Sequence, residues 1–326
     1  MREPAFLRQN KDKWLEYERM LFQENHEQLD PDRLAELYIQ LTDDLAYART
    51  FYPKSQTVRY LNGLAARTHL AIYKNKKEKK NRILSFWTTE LPLIYRQAHK
   101  YMFYAFVFFT FSFLIGTLLA VHEDEFLRLV LSDGYVDMTI ENIENGDPMG
   151  VYKESPSLPM FLRIAYNNIQ VSFMAFALGI FLSVGTIWVL FQNGLMLGSF
   201  LTLFHKYGMI SDALPVIYIH GTLELSAIVI AGGAGFMLGN SILFPGTFSR
   251  RQSIQKAANL GVKIIFGLIP IFLLAAFLES YITRLTEMPL ALKLVIIILS
   301  LVFVVWYYVI YPITISREAK YMEANL

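Results

Sequence analysis

Long, mostly uncharged apolar stretches begin at Tyr101 and recur almost to the end of the chain, whereas apolar and charged positions mix with helical spacing over residues 1–100. The first stretch, 101–121, is 21 residues long. As a helix it reaches about 30 Å, the thickness of a bilayer's hydrocarbon core. Similar stretches follow at 169–191, 216–244, 261–280 and 290–313. The pattern predicts an all-α protein, a polytopic helical membrane bundle preceded by a smaller helical bundle.

One apolar stretch, 194–204, is too short to cross a membrane, because its 11 residues reach only about 16 Å as a helix. Polar Gln192 and Asn193 precede it, and His205 follows it. The pattern predicts a half-helix with its boundary at Gln192 and Asn193. If this half-helix dips and returns, the chain crosses five times. If it crosses in a thinned bilayer, the chain crosses six times.

The two alternatives place the loop 245–260 on opposite sides of the membrane. The loop carries Arg250, Arg251 and Lys256 and no acidic residue. Because basic loops remain in the cytoplasm, the charge favours six crossings with both termini cytoplasmic.

Charge and hydropathy together divide the chain into segments. We expect a cytoplasmic helical domain over 1–85, an interfacial amphipathic helix over 86–100 and a transmembrane domain over 101–316, followed by a tail over 317–326. The stretch 74–82 is densely basic, and 122–160 contains nine acidic residues against Arg128 and Lys153. The sequence therefore predicts a cytoplasmic-membrane protein with a cytoplasmic N-terminus and an acidic outer segment at 122–160.

Composition narrows the function classes. The chain is 54% hydrophobic and 18% charged, too apolar for an ordinary soluble domain of this length. It contains no cysteine, which excludes disulfides, iron–sulfur clusters, thiolate metal sites and a catalytic thiol. It also lacks a phosphate-binding GxxxxGK[ST] loop, a GxSxG nucleophile motif and a dinucleotide fingerprint. The sequence predicts no cofactor and no nucleic-acid partner, and an energised transport process would need a separate ATPase or an ion gradient.

Three ionisable residues stand out in the apolar stretches: His220, Glu224 and Glu279. His220 and Glu224 are four residues apart and share a helix face. Glu279 lies near the end of the next stretch. Because consecutive spans run antiparallel, the three residues are expected on the same membrane side. Such groups are costly in lipid and are functional candidates.

The chemistry of this polar cluster stays open at the level of sequence. One histidine and two carboxylates match the ligand types of a divalent metal site, although HGTLE lacks the second histidine of an HExxH motif. The same groups also suit a proton- or cation-coupled pathway, or a structural role through buried hydrogen bonds. Asn167, Asn168 and Gln170 add polar positions at the start of a predicted span. Whether the protein is an enzyme is undecided, and no catalytic residue is assigned.

Small residues recur at helical spacing and indicate close helix packing. They are Ala231, Gly235 and Gly239 in one stretch and Gly194 and Gly198 in another. These pairs serve contacts within one chain or between two chains. We expect a homodimer in the lipid bilayer.

Several longer motifs together resemble the stage II sporulation protein M family. They are FWTTELP before the first span, NGLMLGSF from Asn193, the glycine-rich stretch HGTLELSAIVIAGGAGFMLGNSILFPG from His220 and AAFLES from Ala275. The resemblance implies a multi-pass cytoplasmic-membrane protein of bacteria or archaea, with His220, Glu224 and Glu279 at the family's motif positions. It also implies work with peptidoglycan-degrading partners, as the family's namesake does without being the hydrolase.

The sequence supports two main functions. The one that it favours is a non-enzymatic scaffold or subunit of a cell-envelope complex, in which the cytoplasmic helices bind a partner. The alternative is a permease or channel-like component that uses His220, Glu224 and Glu279 and works with a separate ATPase or an ion gradient.

Overall fold

The computed structural model describes residues 2–22, 31–74, 82–147, 150–153, 156–285 and 287–324. The described residues form helices and turns, with no strand, so the predicted all-α class is confirmed. Contacts divide the chain into Met1–Arg82 and Ile83–Leu326, close to the boundary predicted at residue 85. The predicted cytoplasmic side of the N-terminus rests on the basic stretch, most of which (75–81) lies outside the described residues.

The described part of the N-terminal unit consists of three helices, α1 (Glu3–Phe22), α2 (Pro31–Phe51) and α3 (Gln56–Lys74). Their apolar faces enclose a core that includes Phe6, Trp14, Leu41, Leu61 and Leu64. The Trp14 indole N–H donates to an Asp44 carboxylate oxygen at 2.8 Å and ties α1 to α2. Helices of about 20 residues are marginal alone, so this shared core stabilises them.

The N-terminal unit is expected to lose stability at alkaline pH. The pKa of Tyr60 is raised to about 12, first by burial and then by the nearby Glu18 carboxylate. The Tyr60 hydroxyl donates a hydrogen bond to this carboxylate at 3.0 Å. A raised tyrosine pKa stabilises the folded state fully below about pH 10, and this contribution is lost as the pH rises towards 12. Tyr60→Phe should therefore flatten the loss of helical ellipticity of fragment 1–82 between pH 9 and 12. An unchanged pH profile in this variant would contradict the expectation.

The second unit is a bundle of long helices joined at one end by short ones. In chain order they are α4 (Arg82–His122), α5 (Asp124–Leu131), α6 (Asp133–Glu144), α7 (Ser157–Ala177), α8 (Val184–Lys206), α9 (Ile210–Leu243), α10 (Arg250–Ile282) and α11 (Leu290–Glu318). Five of the described helices, α4 and α8 to α11, are long and apolar enough to cross a membrane. Helix α9 is the most deeply buried of these five and forms the centre of the bundle.

Two ion pairs show which helix ends lie together. Lys206 at the end of α8 pairs with Asp124 at the start of α5, and we call this end of the bundle the acidic end. Lys263 of α10 pairs with Glu90 of α4, so the loop between α9 and α10 lies at the opposite end, beside the start of α4. The Tyr307 hydroxyl of α11 donates to the carbonyl of Trp87 at 2.8 Å. This contact places the C-terminal part of the last helix beside the start of α4. The loop therefore lies at the same end as the start of α4, as in the alternative with six crossings. Since five of the described helices are long and apolar enough to span, the number of crossings stays a prediction.

A topology experiment follows from this arrangement. The chain has no cysteine, so a single introduced cysteine is the only thiol. If the acidic end is the outer end, an impermeant thiol reagent added to intact cells should label Glu141→Cys in α6 and leave Ser249→Cys unlabelled. Lysed cells should label both. Labelling of Ser249→Cys in intact cells would overturn the orientation.

The predicted half-helix boundary differs from the structure. Helix α8 runs unbroken from Val184 to Lys206, with Gln192 exposed on its surface. The Asn193 amide donates to the Val189 carbonyl at 2.8 Å, so its polar group is satisfied within the helix and does not end it. The stretch 169–191 is therefore not one span.

The chain breaks earlier, in the apolar turn between α7 and α8. A single 3₁₀ turn covers Leu178–Ile180, and Leu182 and Ser183 have left-handed φ values of 53° and 69°. The turn packs on α9, where a Cβ at Gly179 would overlap the Gly235 carbonyl. Helices α7 and α8 thus form a hairpin whose tip lies against the small residues of the central helix.

Two other predicted boundaries fall inside continuous helices. The segment 86–100 is the first part of α4, and a π-helical turn at Phe86–Glu90 is the only irregularity in this described helix. No break occurs at residue 316, because α11 continues past it to Glu318.

The small-residue positions are used within the chain. A Cβ at Gly239 would overlap Ser183 of the hairpin turn. One at Gly194 or Gly198 would overlap α4, and Ala231 is fully buried. Since contacts within one chain account for these surfaces, they no longer argue for a dimer. The homodimer stays a prediction.

Candidate functional site

The structure brings His220, Glu224 and Glu279 together at the acidic half of the bundle. One potential ligand atom from each residue lies within 4.8 Å of the others. The distance from His220 Nε2 to Glu279 Oε2 is 3.9 Å. His220 is buried, and the two glutamates are half-buried. Adjacent turns of α9 supply the first two residues, and the antiparallel helix α10 supplies the third.

Glu279 lies in a single π-helical turn, Leu278–Ile282, at the end of α10. Such turns inside α-helices are often found at functional sites, because the extra residue re-aims the side chains that follow it. In this structure the turn also brings Thr283 to the cluster, where it is almost fully buried.

Thr283 fixes the orientation of the histidine ring. Its hydroxyl donates to the Leu278 carbonyl at 3.1 Å and lies 3.2 Å from His220 Nδ1. A hydroxyl has one proton, so in the tautomer that leaves the contact with Leu278 in place it accepts a hydrogen bond from His220 Nδ1–H. In the neutral ring the other nitrogen, Nε2, then carries the lone pair, and it faces Glu279. The sequence analysis missed Thr283, because its proximity depends on the π-helical turn.

Asn168 of α7 completes the cluster from a third helix. It is 4% exposed, and its side-chain amide approaches the Glu224 carboxyl as a hydrogen-bond donor. The neighbouring Asn167 and Gln170 are exposed. Of the three polar positions that the sequence indicates in this stretch, one therefore belongs to the site.

A cavity of about 720 Å³ reaches the cluster from the acidic end. His220, Glu224 and Glu279 line it together with Arg163 of α7. Its remaining lining is mostly apolar and comes from α5, α6, α7, α8 and α9, including Val130, Tyr135, Met138, Ile164, Phe200 and Ile217. The cluster is therefore in contact with a space large enough for water and a small solute, while the bundle encloses its other sides.

A family model, described as stage II sporulation protein M, matches residues 105–284, more than half of the chain. The chain belongs to the stage II sporulation protein M family. The stage II sporulation protein M match contains the whole cluster, from Asn168 to Thr283, and ends before α11. It also leaves out the N-terminal unit, which matches a separate domain of unknown function, DUF8413, over residues 4–74. No curated protein and no solved structure matches the chain.

Proposed function

We propose that this member of the stage II sporulation protein M family is the membrane-embedded subunit of a cation transport system. The observation that carries the proposal is the cluster of His220, Glu224 and Glu279 at the inner wall of the cavity. Ionisable groups in a membrane bundle are costly to bury and commonly mark ion pathways.

The charges on the cavity wall favour a cation as the solute. Two carboxylates and one imidazole face the space, against the single arginine Arg163 among the lining residues. The helices that cover the cavity, α5 and α6, belong to the segment with nine acidic residues and two basic ones. A cleft with this sign of charge raises the local concentration of cations.

A purely structural cluster would be a closed hydrogen-bond network. Here His220 Nε2 and Glu279 Oε2 are 3.9 Å apart, beyond hydrogen-bond distance. Groups set apart in this way leave room for an ion or water between them.

The hairpin of α7 and α8 also fits a transport protein. Helices interrupted within the bundle are a recurring feature of transporters, and the turn at 178–183 packs on α9 through Gly179 and Ser183. Since the chain carries no ATP-binding motif, we expect an ion gradient or a separate ATPase to supply the energy. A location in the cytoplasmic membrane, with both termini in the cytoplasm, is part of the proposal.

The test is cation flux into liposomes that contain the purified full-length protein, with a panel of monovalent and divalent cations. The variant with both Glu224→Gln and Glu279→Gln should reduce the initial rate of cation flux roughly tenfold or more. Each carboxylate is replaced by a neutral amide, so its charge-assisted contact with the cation is lost. Glu287→Gln is the matched control, since it makes the same change at an exposed position. Equal flux in the double variant and the control would contradict the proposal.

A second candidate is the envelope scaffold that the sequence favours. The N-terminal unit has its own core and matches its own family model, so it is a separate module able to bind a partner. Crosslinking in native membranes followed by mass spectrometry tests this function. Cell-envelope enzymes captured equally by the wild type and the double glutamine variant would support the scaffold, and a captured ATPase would support transport.

A further inference from the structure

We propose that His220, Glu224 and Glu279 form a binding site for one divalent transition-metal ion, with Zn²⁺ as the representative chemistry. The inference rests on the proposed function, since it names the class of cation that the same site takes. It adds a ligand, a coordination number and two supporting residues, Thr283 and Asn168.

The distances nearly match those of a coordinated ion. Histidine nitrogen and carboxylate oxygen bind Zn²⁺ at about 2.0–2.2 Å, so two ligand atoms on a tetrahedral ion are about 3.4 Å apart. His220 Nε2 and Glu279 Oε2, at 3.9 Å, are about half an ångström farther apart than this. The full set lies within 4.8 Å, so ion binding requires the half-buried carboxylates to move inward by about an ångström.

The histidine is oriented as a metal ligand requires. Metal-bound imidazoles donate their other ring N–H to a neighbouring acceptor, which fixes the tautomer. Thr283 Oγ1 is this acceptor for Nδ1–H, at 3.2 Å. The lone pair of Nε2 is thereby directed at the space beside Glu279, where the ion would lie.

Asn168 supports the Glu224 carboxyl from a third helix. It is 4% exposed, and its side-chain amide approaches this carboxyl as a hydrogen-bond donor. With the ion bound, one Glu224 oxygen would coordinate it while the other accepts from Asn168, and such a contact holds a carboxylate ligand in place.

The open position faces the cavity. Three protein ligands leave the fourth position of a tetrahedral ion free for water, as in exchangeable sites and unlike closed structural ones. The cavity is lined by all three ligands, so an ion enters and leaves from the acidic end. A site open on this side takes up an ion from the acidic end.

Co²⁺ is the probe for the test, because its visible d–d absorption reports coordination number directly. Full-length protein in detergent is stripped with a chelator and titrated with CoCl₂. We expect one Co²⁺ per chain with the intense bands of a four- or five-coordinate ion, and displacement of these bands by ZnCl₂. His220→Phe and Glu279→Gln should abolish the bands. Glu287→Gln should leave them unchanged.

Thr283→Val separates ligation from mere packing. It keeps the side-chain shape and all three ligands, so the stoichiometry should remain one while the affinity falls about 10–100-fold. Gel filtration and the melting temperature show that each variant is folded. Absent bands in the folded wild type, or unchanged bands in folded His220→Phe, would overturn the site.

The two proposals fail in different ways. Metal binding without any cation flux in liposomes supports the site and overturns the transport function. Flux of a monovalent cation without Co²⁺ or Zn²⁺ binding overturns the site and supports transport.

Discussion

Gly235→Ala is expected to lower the free energy of unfolding by about 3 kcal/mol, because the added methyl group has no room. A Cβ at this position would overlap the Ala175 carbonyl of α7 and the side chain of Thr186 in α8. These two groups are themselves hydrogen-bonded at 2.7 Å, with the Thr186 hydroxyl as donor. The methyl group must therefore push apart two helices and the hydrogen bond between them.

Gly221→Ala is the matched control in the same helix. A Cβ there meets its nearest neighbours at 3.8 and 3.9 Å, which is ordinary van der Waals contact. Alanine is favoured over glycine in helix interiors by about 0.5–1 kcal/mol, so this variant should be as stable as the wild type or more stable. Thermal unfolding in one detergent measures both. Equal melting temperatures would show that α9 and the hairpin are not packed as the structure has them.

Leu182→Pro is expected to cost roughly 2–3 kcal/mol or more, because proline holds φ near −65° and Leu182 has φ 53°. The side chain of Leu182 is 49% exposed, so its removal alone sacrifices little packing. The effect of proline is therefore a backbone effect. It acts on the turn that joins α7 to α8.

Leu182→Gly separates backbone from side chain at the same position. Glycine adopts positive φ without strain, so this variant should be within about 1 kcal/mol of the wild type. The ratio of folded to aggregated protein after extraction, with the melting temperature of the folded fraction, compares the two variants. Similar behaviour of the proline and glycine variants would mean that the chain is not broken at 182.

The sequence was sufficient to predict the central part of the site. His220 and Glu224 are four residues apart on one helix, and Glu279 follows on the antiparallel helix α10, so local geometry and chain direction bring them together. The spacing of the small residues in α9 likewise predicted a helix-packing surface. These inferences need only the helical period and the order of the spans.

The position of the helix break and the roles of Thr283 and Asn168 depend on tertiary contacts, which a local sequence pattern does not reveal. Gln192 and Asn193 look like a turn, yet a helix tolerates them when one is exposed and the other bonds to its own backbone. The real break consists of apolar residues, and its left-handed conformation is stabilised by packing against α9. Thr283 and Asn168 join the cluster through a π-helical turn and through a third helix. Tertiary structure decides both.

The hairpin has a consequence for biosynthesis. Residues 157 and 206 both lie at the acidic end, since Arg284 bonds to Ser157 and Lys206 pairs with Asp124. Helix α7 falls short of the apolarity of the five spanning helices and carries Asn168, so lipid alone is a poor solvent for it. The surface that receives the turn, around Gly235, is translated after the hairpin is complete. Nascent chains that stop before residue 243 should therefore hold the hairpin only loosely, and its stable insertion should follow the synthesis of α9.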